Sequence, residues 1–240
     1  LAIAALRLLR RAGLKGDVHL IETRPALREA EARILPEAHF HDHLGELPQA
    51  PLLLVANEFF DALPVRQFVE GRERHVILAA GGFAFDRDGP IVEQSPARDE
   101  AAKQLAGHLA AHGGAALVID YGYGGGEQGD TLQAVRGHRF SYVLDHPGEQ
   151  DLTAHVDFAA LAAAARQAGA KASRVVSQGT WLETLGIGAR AMALAAKNPA
   201  DTESIAAARR RLCDEQEMGR LFKVIALTGE DWPTVAGFEQ

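Results

Sequence analysis

An α/β domain built on a mostly parallel sheet, with helices on both faces, is the fold class this sequence predicts. Three observations carry that expectation. Short continuous apolar runs, VHLIE at 18–22, LLLVA at 52–56 and AALVID at 115–120, alternate with stretches of helical periodicity. Each run ends in, or is followed at once by, polar residues: Glu22, Asn57-Glu58 and Asp120. The chain has 240 residues, 47% of them hydrophobic, which suits one large domain with a sizeable core.

Taken in order, Leu1 to Ala12 reads as a helix, with Ile3, Leu6 and Leu9 at helical spacing, arginines near its end and Gly13 to stop it. Val18 to Glu22 is a short buried strand. Pro25 opens a helix with Leu27, Ala30 and Ile34 on one face. His39-Phe40 predicts a brief strand, and Leu52 to Ala56 a parallel strand covered on both faces. From Val65 to Asp86 the pattern changes to a small antiparallel meander, turned at Glu70-Gly71-Arg72 and Ala80-Gly81-Gly82. Residues 98–112 form a helix and Ala115 to Asp120 the next strand. A glycine-rich loop follows at 122–129. Asp157 caps a helix that Gly169 closes. Ala172 to Val176 is a strand, 180–197 and 201–213 are helical, and Leu221 to Leu227 ends the domain as a strand. With no internal repeat and no long linker, the expectation is one domain over 1–240 with the meander 65–86 inserted.

Composition narrows the function classes. No window approaches 18 uncharged apolar residues, so no membrane span is predicted. The arginine-dotted start lacks a cleavage site and a leading Met, which places the natural start upstream. A single cysteine, Cys213, leaves no internal disulfide and no cysteine cage for zinc, and fits a reducing compartment. A formal net charge of −7 argues against a general nucleic-acid binder.

In open parallel sheets, ligands sit beyond the carboxyl ends of the strands. A carboxylate ending the second strand accepts hydrogen bonds from the two hydroxyls of a ribose, so Glu22 is a candidate; it reads equally as an exposed strand-end acid. Asn57-Glu58-Phe59-Phe60-Asp61-Ala62-Leu63-Pro64 packs two acids and an amide around two aromatics. Such a pair of carboxylates suits a planar cation such as a guanidinium. The same residues also read as a helix N-terminus capped by Asn57. Two near-matches are set aside. The run from Gly124 to Thr131 has phosphate-loop glycine spacing, but Asp130 stands where the lysine is needed. His39-Phe40-His41-Asp42-His43 lacks the spacer of a binuclear metal motif, so no metal site is expected.

ANEFFDALPVRQFV (56–69), LVIDYG (117–122), GDTLQAVRGH (129–138) and DLTAHVDF (151–158) closely resemble the MidA-like family, which includes the mitochondrial complex I assembly methyltransferase and its bacterial relatives. Glu22 with Leu27-Arg28, and Gln178, Trp181-Leu182 and Leu185-Gly186-Ile187, match as well. The resemblance implies a Rossmann-like class I methyltransferase fold, S-adenosylmethionine as cofactor, and transfer to a protein arginine, with a respiratory complex I subunit as the partner. It implies the cytoplasm for a bacterial protein and the mitochondrial matrix for a eukaryotic one. The family's first strand and glycine loop precede a helix that looks like Leu1 to Arg11; they are missing here, so the domain is expected to be partial and the fragment itself inactive. Carried onto the residues present, Glu22 and Asp42 contact the cofactor, with Asn57 at its edge. Asn57, Glu58 and Asp61 are the catalytic candidates, the two acids gripping the guanidinium. Tyr121, Asp130 and His155, with Asp157 nearby, complete a substrate pocket. The alternative is a non-catalytic assembly or binding protein that keeps the fold.

Overall fold

The computed structural model describes residues 2–126 and 129–239, so Leu1 of the first predicted helix and Glu127-Gln128 of the glycine-rich stretch lie outside the described residues. The chain divides into two units, one through Gln49 and one from Ala50 onward.

The first unit runs α1 (Ala2–Arg11), β1 (His19–Ile21), α2 (Pro25–Ile34) and β2 (His39–His41), followed by a single 3-10 turn over Leu44–Glu46. Pro25 sits in the first turn of α2, where its missing N–H costs nothing. β1 and β2 pair in parallel, with Leu20 opposite Phe40. Val18, Leu35 and Leu47 are buried in this unit.

The second unit opens with β3 (Leu52–Asn57). Five short strands follow: β4 (Arg66–Val69), β5 (Arg72–Glu73), β6 (Val76–Ala79), β7 (Gly82–Phe85) and β8 (Ile91–Gln94). The predicted meander is therefore two pieces. β5, β4 and β8 form one antiparallel sheet, and β6–β7 is a separate hairpin. β8 was not expected, because IVEQ is short and polar at one end. Next come α3 (Pro96–His112), β9 (Gly114–Tyr123) and a second small sheet of β10 (Gln133–Arg136), β11 (Arg139–Ser141) and β12 (Asp151–Thr153), also unforeseen. β13 (Val156–Asp157) leads into α4 (Phe158–Gln167), which Asp157 caps by accepting from the N–H groups of Ala159 and Ala160. β14 (Lys171–Ala172) and β15 (Val176–Ser177) replace the single strand predicted at 172–176. Between them, Ser173 bonds Ala226 through both its N–H and its hydroxyl, so the side chain takes over one ladder position. α5 (Gln178–Thr184) and α6 (Ile187–Lys197) are split by Gly186, whose φ of +83° ends the first. α7 (Thr202–Cys213), α8 (Met218–Leu221) and β16 (Phe222–Thr228) complete the unit.

The central sheet explains where a site can form. β9 lies at its middle, with β3 and then β13 parallel to it along one side and β16 antiparallel along the other. β14 and β15 pair antiparallel to β16, so five of the six strands point one way and the last in sequence is reversed. The sheet is mostly parallel, as expected; the reversal of β16 was not foreseen. Phe222, Val224 and Ala226 of β16 join Ile119, Val176 and Phe238 in one cluster, against which Trp181 and Met218 pack. Ile225 and Leu227 are fully buried too, and α3 and α4 pack together and on β16. Each large apolar side chain buried this way contributes about 1.5–3 kcal/mol. Glycine is required beside β9: a Cβ on Gly122 would lie 2.1 Å from the Val156 carbonyl oxygen, and one on Gly114 would lie 2.2 Å from that of Leu52.

Candidate functional site

In the second unit, the strands β3, β9 and β13 bring their carboxyl ends to one side of the sheet. Asn57 closes β3, and the chain turns sharply at Glu58, a non-glycine residue with φ of +52°. Such a conformation is uncommon and costly for a residue with a Cβ. The Glu58 N–H is held by the Ile119 carbonyl, and both side chains are exposed, with the Asn57 amide donating to Glu58 Oε1 at 3.1 Å. No helix follows, so Asn57 serves as the apex of a turn rather than as a cap.

Behind this turn lies a buried acidic group. Asp120 is fully buried within β9, which runs three residues past the strand end expected there; its Oδ2 accepts from the N–H groups of Phe60 (3.0 Å) and Asp61 (3.2 Å), and its Oδ1 from that of Tyr121. Burial pushes the Asp120 carboxyl up, and the Asp61 charge adds to it; the N–H donors offset only part, leaving it at about 7. Asp61 is 5% exposed, and its Oδ2 accepts from the Tyr121 hydroxyl at 2.6 Å. Its Oδ1 is buried with no hydrogen-bond partner. The Tyr121 phenol is half-buried, set edge-on to the rings of His155 and Phe222. Burial, then the Asp61 hydrogen bond, raises its ionisation well above the ordinary range, against a hydroxyl bond from Thr153.

Arg98 organises the group from within α3. It is 7% exposed, and its guanidinium donates to the carbonyls of Phe60 (2.7 Å), Asp61 (3.1 Å), Ala154 (2.7 Å) and His155 (2.6 Å). Burial lowers its pKa, opposed by Asp120, Glu93 and Asp61. Sequence reasoning missed Arg98. A signal existed: Ser95 caps α3, Pro96 follows, and a basic residue in that first turn opposes the helix dipole unless something else holds it.

The remaining candidates divide. His155 is brought to Tyr121, and its N–H donates to the Thr131 hydroxyl at 2.9 Å. Asp130 accepts instead from Gln67 (2.8 Å) and Arg74 (3.2 Å), while Arg74 stacks on Phe85. It ties the loop before β10 to the inserted strands. Asp157 is occupied as the cap of α4.

In the first unit, Glu22 and Asp42 directly follow the adjacent parallel strands β1 and β2. Arg28 joins them, donating to the Glu22 carbonyl and, at 2.8 Å, to the Asp42 carboxylate. Glu22 Oε1 accepts the Arg24 N–H at 2.9 Å. Burial pushes the Glu22 carboxyl up, but its bonds from Arg24 prevail and keep it below the ordinary carboxylate range. Two acceptor-only groups at neighbouring strand ends fit the hydroxyls and exocyclic amine of an adenosyl group. The neighbouring histidines pack on one another: His19 Nδ1 lies 2.9 Å from His41 Nε2, and the His19 ring stacks on His39.

Several known proteins are similar to this chain in sequence and in fold. Residues 1–88 and 77–176 match the model of a family described as "Putative S-adenosyl-L-methionine-dependent methyltransferase". The chain is 32% identical to the mitochondrial protein arginine methyltransferase NDUFAF7 of Mus musculus, over 85% of this chain and 53% of that protein. It is 30% identical to the NDUFAF7 homolog of Drosophila melanogaster, over 88% of this chain and 60% of that protein. It thus spans little more than half the length of these curated relatives. A crystal structure from Burkholderia thailandensis, described as a "likely methyl transferase" bound to S-adenosyl-homocysteine, superposes with a TM-score of 0.83 at 28% identity, covering 100% of this chain and 71% of that one. A second structure from the same organism, of a protein described as uncharacterized, gives 0.88 at the same identity, covering 73% of that chain. The chain belongs to this family of S-adenosylmethionine-dependent methyltransferases.

Proposed function

We propose that the protein of which this chain is a part methylates an arginine of a protein substrate. The observation that carries this reading is the Asn57-Glu58 turn. A carboxylate and an amide stand exposed at the carboxyl end of β3, the carboxylate on a residue with φ of +52°, and the nearby Asp61 accepts from the half-buried Tyr121 hydroxyl. The bound cofactor supplies an electrophilic methyl group. The chain's own residues must align a nitrogen with it and favour its lone pair. Glu58 holds the guanidinium by charge-assisted hydrogen bonds, Asn57 orients it, and Asp61 acts from behind Tyr121. His155 and Asp130 shape the two sides of the substrate's entrance. Glu22 takes the ribose hydroxyls and Asp42 the adenine side. The names of the relatives support arginine as the acceptor, and the resemblance to complex I assembly enzymes suggests a respiratory subunit in the mitochondrial matrix, or a bacterial counterpart in the cytoplasm.

The test is mass spectrometry of candidate complex I subunits incubated with the full-length protein and S-adenosylmethionine. Glu58→Gln keeps size and hydrogen bonding but removes the charge. It should abolish arginine methylation and leave cofactor affinity, read by calorimetry, within about threefold; such a change is under 1 kcal/mol. Full methylation by this variant would remove Glu58 from the site.

A further inference from the structure

We propose that Tyr121 and Asp61 form a proton relay that takes the proton lost by the acceptor nitrogen. The inference rests on the methyl-transfer reading above. The Tyr121 hydroxyl already donates to Asp61 Oδ2 at 2.6 Å, a short bond in which the proton has little distance to travel. The other carboxylate oxygen, Oδ1, is buried with no donor among the described residues. A buried acceptor left unpaired costs free energy. Arg98 does not neutralise Asp61 directly, since its four hydrogen bonds go to backbone carbonyls. Asp120 fixes the Asp61 backbone from the other side by accepting its N–H. Asp61 is thus a buried base with a fixed backbone, in contact with the half-buried Tyr121 phenol.

The step balances. The nitrogen gains the methyl carbon, whose bond to the sulfonium sulfur breaks with both electrons going to sulfur. One N–H proton passes to Tyr121 Oη as the Tyr121 hydroxyl proton passes to Asp61 Oδ2. A guanidinium, a sulfonium and a carboxylate become a methylguanidinium, a thioether and a carboxylic acid, so the total charge is unchanged. Tyr121 is then a catalytic residue, touching the reacting nitrogen. Asp61 is the acceptor behind it.

Two variants of the full-length protein test this, with a synthetic arginine-rich peptide as acceptor. Tyr121→Phe keeps the ring packed against His155 and Phe222. It should lower kcat by about 100-fold or more, the scale of general base catalysis, with peptide KM and cofactor affinity nearly unchanged. Asp61→Asn should lower kcat similarly. It should also move a tyrosine ionisation, followed by near-ultraviolet absorbance and assigned against Tyr121→Phe, down by about one pH unit or more, because a neighbouring charge is gone. The chain holds three tyrosines, so the assignment is tractable. Wild-type kcat in Tyr121→Phe overturns the relay, as does an unmoved titration in a folded Asp61→Asn protein. A wild type that methylates a lysine-rich peptide and no arginine peptide ends the arginine reading alone. The Tyr121→Phe loss is then read on lysine, whose ammonium must give up one proton to free the attacking lone pair.

Discussion

The Arg98 guanidinium meets Asp61 through the backbone carbonyl, at 3.1 Å, and not through the carboxylate. A buried cation within reach of a buried anion is thereby used to fasten two loops, 58–61 and 154–155, while the carboxylate is left to Tyr121. Removing either partner has different consequences, and these can be measured.

Arg98→Met would leave the carbonyls of Phe60, Asp61, Ala154 and His155 without their donor. Losing a buried charged partner typically costs about 3–5 kcal/mol. Calorimetric unfolding should show a fall in Tm of roughly 10 °C for a protein of this size. A fall of only a degree or two would mean that solvent or another donor reaches these carbonyls.

Asp120 makes stability depend on pH. Its carboxyl is raised to about 7 in the folded chain, against an ordinary value near 4 when unfolded. The folded state therefore binds the proton more tightly. The corresponding stability is fully present below about pH 4 and is lost as pH rises through about 7, by an amount on the order of a few kcal/mol. Urea unfolding between pH 5 and pH 8 should show a decline. Asp120→Asn should flatten it, and should be less stable at the acid end, since its amide cannot accept at both positions. An equal slope in the variant would assign the pH dependence elsewhere.

Glu22→Ala, made in the full-length protein, should weaken S-adenosylmethionine binding. A charge-assisted hydrogen bond is worth about 1.5–3 kcal/mol, a loss of roughly 10-fold to 150-fold in affinity. Isothermal calorimetry reads this directly. Unchanged affinity would reduce Glu22 to a partner of Arg24.

Gly122→Ala would set a methyl carbon 2.1 Å from the Val156 carbonyl oxygen, and backbone on both sides leaves no side chain to move aside. The pairing of β13 with β9 should fail, shifting His155 away from Tyr121. We expect a loss of several kcal/mol, in the range of the larger single-residue effects, and loss of methyl transfer together. Wild-type stability would show that β13 can slide.

The apolar runs VHLIE, LLLVA and AALVID were legible as strands and became β1, β3 and β9, but only β9 is central; β3, expected to be covered on both faces, leaves Leu53 and Val55 exposed. The caps at Asp157 and the break at Gly186 were equally local signals, although only the first was read. β10 and β11 form a local hairpin across Gly137-His138 that went unread, whereas the short antiparallel strands β8 and β12 pair with partners well separated in sequence. The same limit hid the site's interior. Asn57, Glu58 and Asp61 were readable as a polar cluster after a strand, but that Asp61 turns inward to Tyr121, 60 residues away, follows only from the sheet. Arg98 looked like an ordinary helix residue because its four partners are carbonyls, which every residue has.

The reversed strand β16 has a consequence for biosynthesis. Phe222 lies opposite Tyr121, about a hundred residues earlier, and among the described residues β14 and β15 find their only sheet partner in β16. A nascent chain leaving the ribosome therefore exposes one whole side of β9, and two strands with nothing to join, until residues 222–228 emerge. Because contacts so distant in sequence form slowly, the second unit closes in one late event. Until then its apolar strand surface is open to chaperones and to neighbouring chains.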